Sequence, residues 1–204
     1  MRATIVMAAV AGTAIASTAS AQSLTTLFSS NGGGSAGGGI YFDVTVGANP
    51  IAILSFDVST GAPVGTALAF EAWTHVGGHA GFENNPLGWT QVATGSGSAA
   101  GFDVPSAITL NAPFVLAANT TVGMALTLGP NAGHRYTNGN GANQHYADAN
   151  VALDLGTAMN AIFGGGSVFN PRVWNGTIYY RVIPAPASLA LLGLGGLVAA
   201  RRRR

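Results

Sequence analysis

Gly133-His-Arg-Tyr-Thr-Asn-Gly-Asn-Gly-Ala-Asn-Gln-His-Tyr146 is the stretch of this sequence most able to do chemistry. It sets His134, Arg135 and Tyr136 beside a run of amides, and Phe169-Asn-Pro-Arg-Val-Trp-Asn-Gly176 repeats the theme with Arg172 and Trp174. Aromatic faces cover the apolar side of a sugar while amide and guanidinium groups bond its hydroxyls. His134, Arg135, Tyr136, Arg172 and Trp174 are therefore the candidate ligand-binding residues, with an extracellular polysaccharide as the ligand class. A structural reading explains the same residues. Asn138-Gly139, Asn140-Gly141 and Asn175-Gly176 suit type I′ turns, Arg135 has Asp148 or Asp154 as partners, and Trp174 suits a core.

Other patterns fail on context. Gly32-Gly-Gly-Ser-Ala-Gly37 fits G-x-G-x-x-G and Gly33-Gly-Ser-Ala-Gly37 fits G-x-S-x-G, but both precede a strand and neither opens a helix. Glu71, His75, His79 and Glu83 are spaced by four, as metal-competent side chains on a helix would be. Gly77, Gly78 and Gly81 make that helix implausible. A two-residue turn at Gly77-Gly78 would instead send the two histidines to opposite faces, put Trp73 opposite Phe82, and leave His75 and His79 as solvated loop side chains. No metal site and no cofactor are expected. The seven carboxylates of the central region are scattered along the chain, so no catalytic residues are assigned and a polysaccharide hydrolase is the least favoured class.

Short apolar or alternating runs position these residues: Ile40 to Val46, Ile51 to Val58, Ala67 to Thr74, Trp89 to Thr94, Ala107 to Val115, Thr121 to Leu128, Val151 to Leu155 and Thr177 to Val182. Glycine, proline and asparagine separate them, and no window reads as an amphipathic helix. The expected fold is all-β, an antiparallel two-sheet β-sandwich of jelly-roll type, with residues 129–146 as a long polar loop. Residues 22–182 carry three arginines against seven carboxylates, a net −4, and the chain has no lysine and no cysteine. An acidic domain argues against a nucleic-acid partner, and the lack of cysteine rules out disulfides and thiolate metal sites.

The two ends carry addresses. Met1-Arg2, the small-apolar run Ala3 to Ala16 and Ala19-Ser20-Ala21 form a secretory signal with an A-x-A cleavage site, so residues 1–21 are expected to be removed and Gln22 to begin the mature chain. Residues 183–204 contain Pro184-Ala185-Pro186, an apolar run long enough for a transmembrane helix, and Arg201, Arg202, Arg203 and Arg204. The arginines resist crossing and hold the C-terminus inside. This layout resembles the PEP-CTERM sorting segment of exported bacterial proteins. The resemblance covers about 22 residues and departs from the family at Ala185, where Pro-Glu-Pro has glutamate. It implies a membrane-inserted tail, recognition by a sorting protease of exosortase type, and an exported chain that is either anchored or released to the surface. The resulting expectation is a non-enzymatic surface or extracellular-matrix protein of structural or adhesive role. A carbohydrate-binding module is the alternative.

Overall fold

The computed structural model describes residues 20–184, and Ser20–Ile183 form one compact unit. Ala19, Ala185, Pro186 and Arg201 to Arg204 lie outside the described residues, as do nearly all of the signal and tail assignments. Ala21 and Pro184 fall just inside, both exposed. Among the described residues no helix is long and apolar enough to cross a membrane.

Thirteen strands account for the unit: β1 (Gln22–Thr25), β2 (Gly32–Gly33), β3 (Gly39–Val46), β4 (Ile51–Val58), β5 (Ala67–Val76), β6 (Trp89–Ser98), β7 (Ser106–Leu116), β8 (Thr121–Thr127), β9 (Arg135–Asn138), β10 (His145–Ala147), β11 (Val151–Met159), β12 (Arg172–Trp174) and β13 (Gly176–Val182). All pairings are antiparallel. Ten strands form one sheet in the order β1-β13-β4-β7-β6-β5-β8-β3-β11-β10, and β12-β9-β2 form a second, small one. The pairs β1·β13, β3·β8, β4·β7 and β5·β6 nest inside one another, as in a long hairpin rolled up on itself.

This corrects the expected separation into two sheets, because the ladder is continuous through β6·β7. That link is short, Gly95↔Leu110 to Gly97↔Ile108. A Cβ on Gly95 would lie 2.7 Å from the Thr109 carbonyl, and one on Gly97 would collide with the Ala107 carbonyl. The missing side chains let the two halves meet edge to edge at this corner. At the opposite side the edge strands approach through polar side chains. Tyr180 Oη lies 2.6 Å from Asp148 Oδ2 and 2.9 Å from Gln22 Oε1, while Asn150 Nδ2 donates to the same glutamine oxygen at 2.8 Å. Burial, then the Asp148 contact, pushes the Tyr180 phenol up to about 12, so it remains a donor at this seam.

The interior is lined by alternate residues. Ile40, Phe42, Val44 and Val46 of β3 are all buried, as the period of two demands. On β4, Ile53 and Phe56 would fall on opposite faces by counting alone, yet both are fully buried in the same core. Leu54 is skipped in the pairing with both β13 and β7, and this bulge switches the parity between Ile53 and Phe56. Phe56 meets Phe70 across the interior at 5.0 Å between ring centroids, and Phe42 stacks on Trp174 at 5.1 Å.

Candidate functional site

The structure turns the sequence-derived ligand residues inward. The stretch expected as a loop contains β9 and β10, and Trp174 lies in β12, paired with Tyr136. Trp174 is fully buried, stacked on Phe42 and edge-on to Phe56. Tyr136 and His134 are buried as well, so these rings offer no surface to a sugar. The two arginines are half-buried rather than paired with acids. Arg135 sits 4.5 Å over the Phe102 ring and donates from Nε to Ser30 Oγ at 3.2 Å. Arg172 lies 5.2 Å from the Tyr136 ring and 5.7 Å from that of Phe169. Asp148 and Asp154 go instead to Tyr180 and His145. The asparagine–glycine pairs do not form type I′ turns. Such turns need positive φ at both central residues, and among the described non-glycine residues only Asp103, Asn119 and Phe163 have it.

The chemistry gathers instead on the outer face of β6-β5-β8-β3-β11-β10. Strand register puts Trp89, His75, Gly123, Asp43, Asp154 and His145 in one cross-strand row. Gln91, Trp73, Ala125, Tyr41 and Thr157 form the next. Asp43 and Asp154 are directly opposed, an arrangement that like charges disfavour, and each accepts a hydrogen bond from a histidine Nδ1 at 2.7 Å, Asp43 from His79 and Asp154 from His145. Two carboxylates therefore do come together, although their positions in the chain gave no sign of it. Among the described residues no group of three or more such side chains is arranged to hold a metal ion.

Two loops lie over these rows. Residues 77–88 do not make the expected hairpin at Gly77-Gly78; β5 pairs with β6 through Trp73↔Gln91 and His75↔Trp89. The loop crosses the sheet instead, so His79 is buried rather than solvated, with Glu83 buried beside it, and His75 lies on β5, only partly exposed. The His79 backbone N–H also donates to Asp43 Oδ1 at 2.8 Å, while Glu83 accepts from Thr157 Oγ1 at 3.2 Å and from the Gly81 N–H at 2.8 Å. Gly123 provides the seat, since a Cβ there would stand 2.6 Å from the Gly78 carbonyl carbon and the His79 nitrogen. Gly123→Ala should therefore lift the loop and cost about 1–3 kcal/mol in urea unfolding. Unchanged stability would mean that the loop is not seated there.

The second loop, residues 160–168, brings Phe163 over Tyr41. The Phe163 N–H donates to the Tyr41 hydroxyl at 3.1 Å, and this hydroxyl points on to the Glu83 carbonyl at 3.3 Å. Burial pushes the Tyr41 phenol up to about 12. Tyr41, Trp89, Ala125 and Met159 thus form a small second core, with Trp73, Ile162, Phe163 and Val168 at its margin. Trp73 meets Phe163 edge-on at 5.5 Å, and His75 stacks on Phe82 at 4.0 Å. The result is an aromatic shelf beside a rigidly tied loop. The signals that could have found it were the alternation of Glu71, Trp73 and His75 on β5 and of Tyr41 and Asp43 on β3. Their meeting depends on strand order. The chain matches no protein-family model, and no curated protein is similar enough to count as a match.

Proposed function

We propose that this chain is an exported, non-enzymatic surface protein of structural or adhesive role, sorted by its C-terminal segment. What carries the reading is the agreement of two independent boundaries. The compact unit runs from Ser20 to Ile183, and the signal and tail read from sequence leave residues 22–182 between them. The mature domain is of jelly-roll type, one long sheet rolled on itself with the β10–β11 hairpin added at one edge; the four nested pairs β1·β13, β3·β8, β4·β7 and β5·β6 support this. The membrane and a sorting protease of exosortase type are its partners during delivery, and a nucleic acid is not.

Intact mass and fractionation of the native protein test this. A species beginning at Gln22 and ending near Pro184 to Ala187, recovered outside the inner membrane, is the expected product. Replacing Arg201 to Arg204 by neutral residues should change its retention; unchanged fractionation would overturn the stop-transfer role of the arginines.

The opposed Asp43 and Asp154 do not favour a hydrolase. Each carboxylate already accepts a histidine Nδ1 hydrogen bond, and His79 and Glu83 are spent on holding a loop. A binding role fits this outer face better than a catalytic one.

A further inference from the structure

We propose that the aromatic shelf on the outer face of β5 and β6 is a polysaccharide-binding site selective for neutral or amine-bearing sugars. The proposal gives the adhesive reading a ligand site, and rests on that reading only for the ligand's being extracellular. Trp73, His75, Phe82 and Phe163 provide the apolar surface, and Gln91 a flanking amide. Phe82 is 42 % exposed, and Trp73, His75 and Phe163 are each partly exposed. Val76 and Leu87, at the two ends of the same loop, are 87 % and 75 % exposed. An apolar patch rimmed by polar groups marks a place of interaction.

Orientation favours a sugar. Gln91 lies directly across from Trp73 and is exposed, so its amide stands beside the indole on the same face. The Trp73 Nε1–H donates to Glu71 Oε2 at 3.1 Å, and Phe163 abuts the ring edge-on, which fixes the indole plane before any ligand arrives. The ties of His79 to Asp43 and of Glu83 to Thr157 hold the loop that carries Phe82. A platform fixed in advance loses little conformational freedom on binding.

Charge selects among polymers. Glu71 borders the shelf, with Asp43 and Asp154 farther along the same face. The three arginines of the described residues lie elsewhere: Arg135 on β9, Arg172 on β12 and Arg181 on β13. A uronic-acid or sulfated polymer would meet carboxylates with no cation to pair with. A neutral glycan meets no such penalty, and an amino sugar gains from Glu71.

The test uses the full-length chain in mild detergent, with retention measured on insoluble cellulose, on chitosan and on alginate gel. Retention on cellulose or chitosan, and not on alginate, is expected. Phe82→Ala should weaken retention about tenfold, as truncating a central aromatic contact does. Val115→Ala, an exposed apolar side chain on β7, should leave it unchanged. Trp73→Phe should abolish the tryptophan-fluorescence change that cellohexaose or chitosan oligosaccharides produce in the parent protein. Thermal unfolding of every variant shows whether it is folded. Equal retention on alginate, no retention on any of the three, or full retention by folded Phe82→Ala and Trp73→Phe would overturn the proposal. Binding is read in vitro, so a failure here is separable from a failure of sorting. Partition into lipid vesicles with no affinity for any glycan would also overturn it, and would identify the shelf as a membrane contact.

Discussion

Trp174→Ala is expected to destabilise the protein by about 3–5 kcal/mol, the cost of removing a large buried aromatic side chain from a core that cannot close over the gap. For a unit of this size that lowers the melting temperature on the order of 10 °C. The reason is position. Trp174 ends β12, where its indole stacks nearly parallel to Phe42, at 12° between planes, and meets Phe56 edge-on. It therefore joins the small sheet to the interior of the large one. Trp174→Phe should cost much less, because a ring still reaches Phe42 and because the indole N–H, buried without a partner, is removed. Urea unfolding followed by both fluorescence and circular dichroism would measure the two variants. A Trp174→Ala protein as stable as its parent would show that the indole does not join the two sheets.

His134 governs the second large effect. Its ring is buried with neither nitrogen hydrogen-bonded, and that burial holds its pKa at about 3, against 6.5 for an exposed imidazole. In the unfolded chain the ring takes up a proton near 6.5, whereas in the folded one it stays neutral down to about 3. Between those values the unfolded state binds more protons, so stability is complete above about 6.5 and falls as the pH drops toward 3. The slope from this one residue approaches about 1.4 kcal/mol per pH unit, and several kcal/mol are lost by pH 4. His134→Leu should remove that part of the acid sensitivity and raise stability at neutral pH, since an unpartnered polar ring gives way to an apolar side chain of the core. Unfolding midpoints at pH 7, 6, 5 and 4 for the two proteins would decide it. Parallel curves would mean that His134 takes up its proton without unfolding the chain.

The eight longer strands, of seven to eleven residues, were legible as apolar or alternating runs bounded by glycine, proline and asparagine. The five that escaped, β1, β2, β9, β10 and β12, have two to four residues each, too few for a pattern, and β2 is glycine alone. The parity switch at Leu54 was hidden for a different reason: a bulge is a property of the pairing, and β4 by itself reads as apolar on both faces. Rich side-chain chemistry around His134, Tyr136 and Trp174 was visible in the sequence, but its direction was not. Those residues turn toward the core because the small sheet packs against β3, a contact between segments some 130 residues apart. Conversely, Asp43, His79, His145 and Asp154 look unrelated in the sequence and become neighbours through strand order and the loop that crosses the sheet. The spacing of Glu71, His75, His79 and Glu83 does have a structural meaning, though not that of a helix. Two of the four lie on β5, and the loop that returns across the sheet buries the other two.

The nested pairing also bears on the order of events as the protein is made. Gln22 meets Tyr180 across 158 residues, so the outermost pair closes only when the final strand is available. Contacts this distant in sequence make assembly slow, since the intervening loops must be ordered before the pairing rewards it. A chain that threads the export channel from its N-terminus would emerge with β1 waiting and β13 among the last segments through, just ahead of the tail. On the export proposed above, passage of the tail and completion of the fold would then coincide, and the chain would stay unfolded until its last strand arrived.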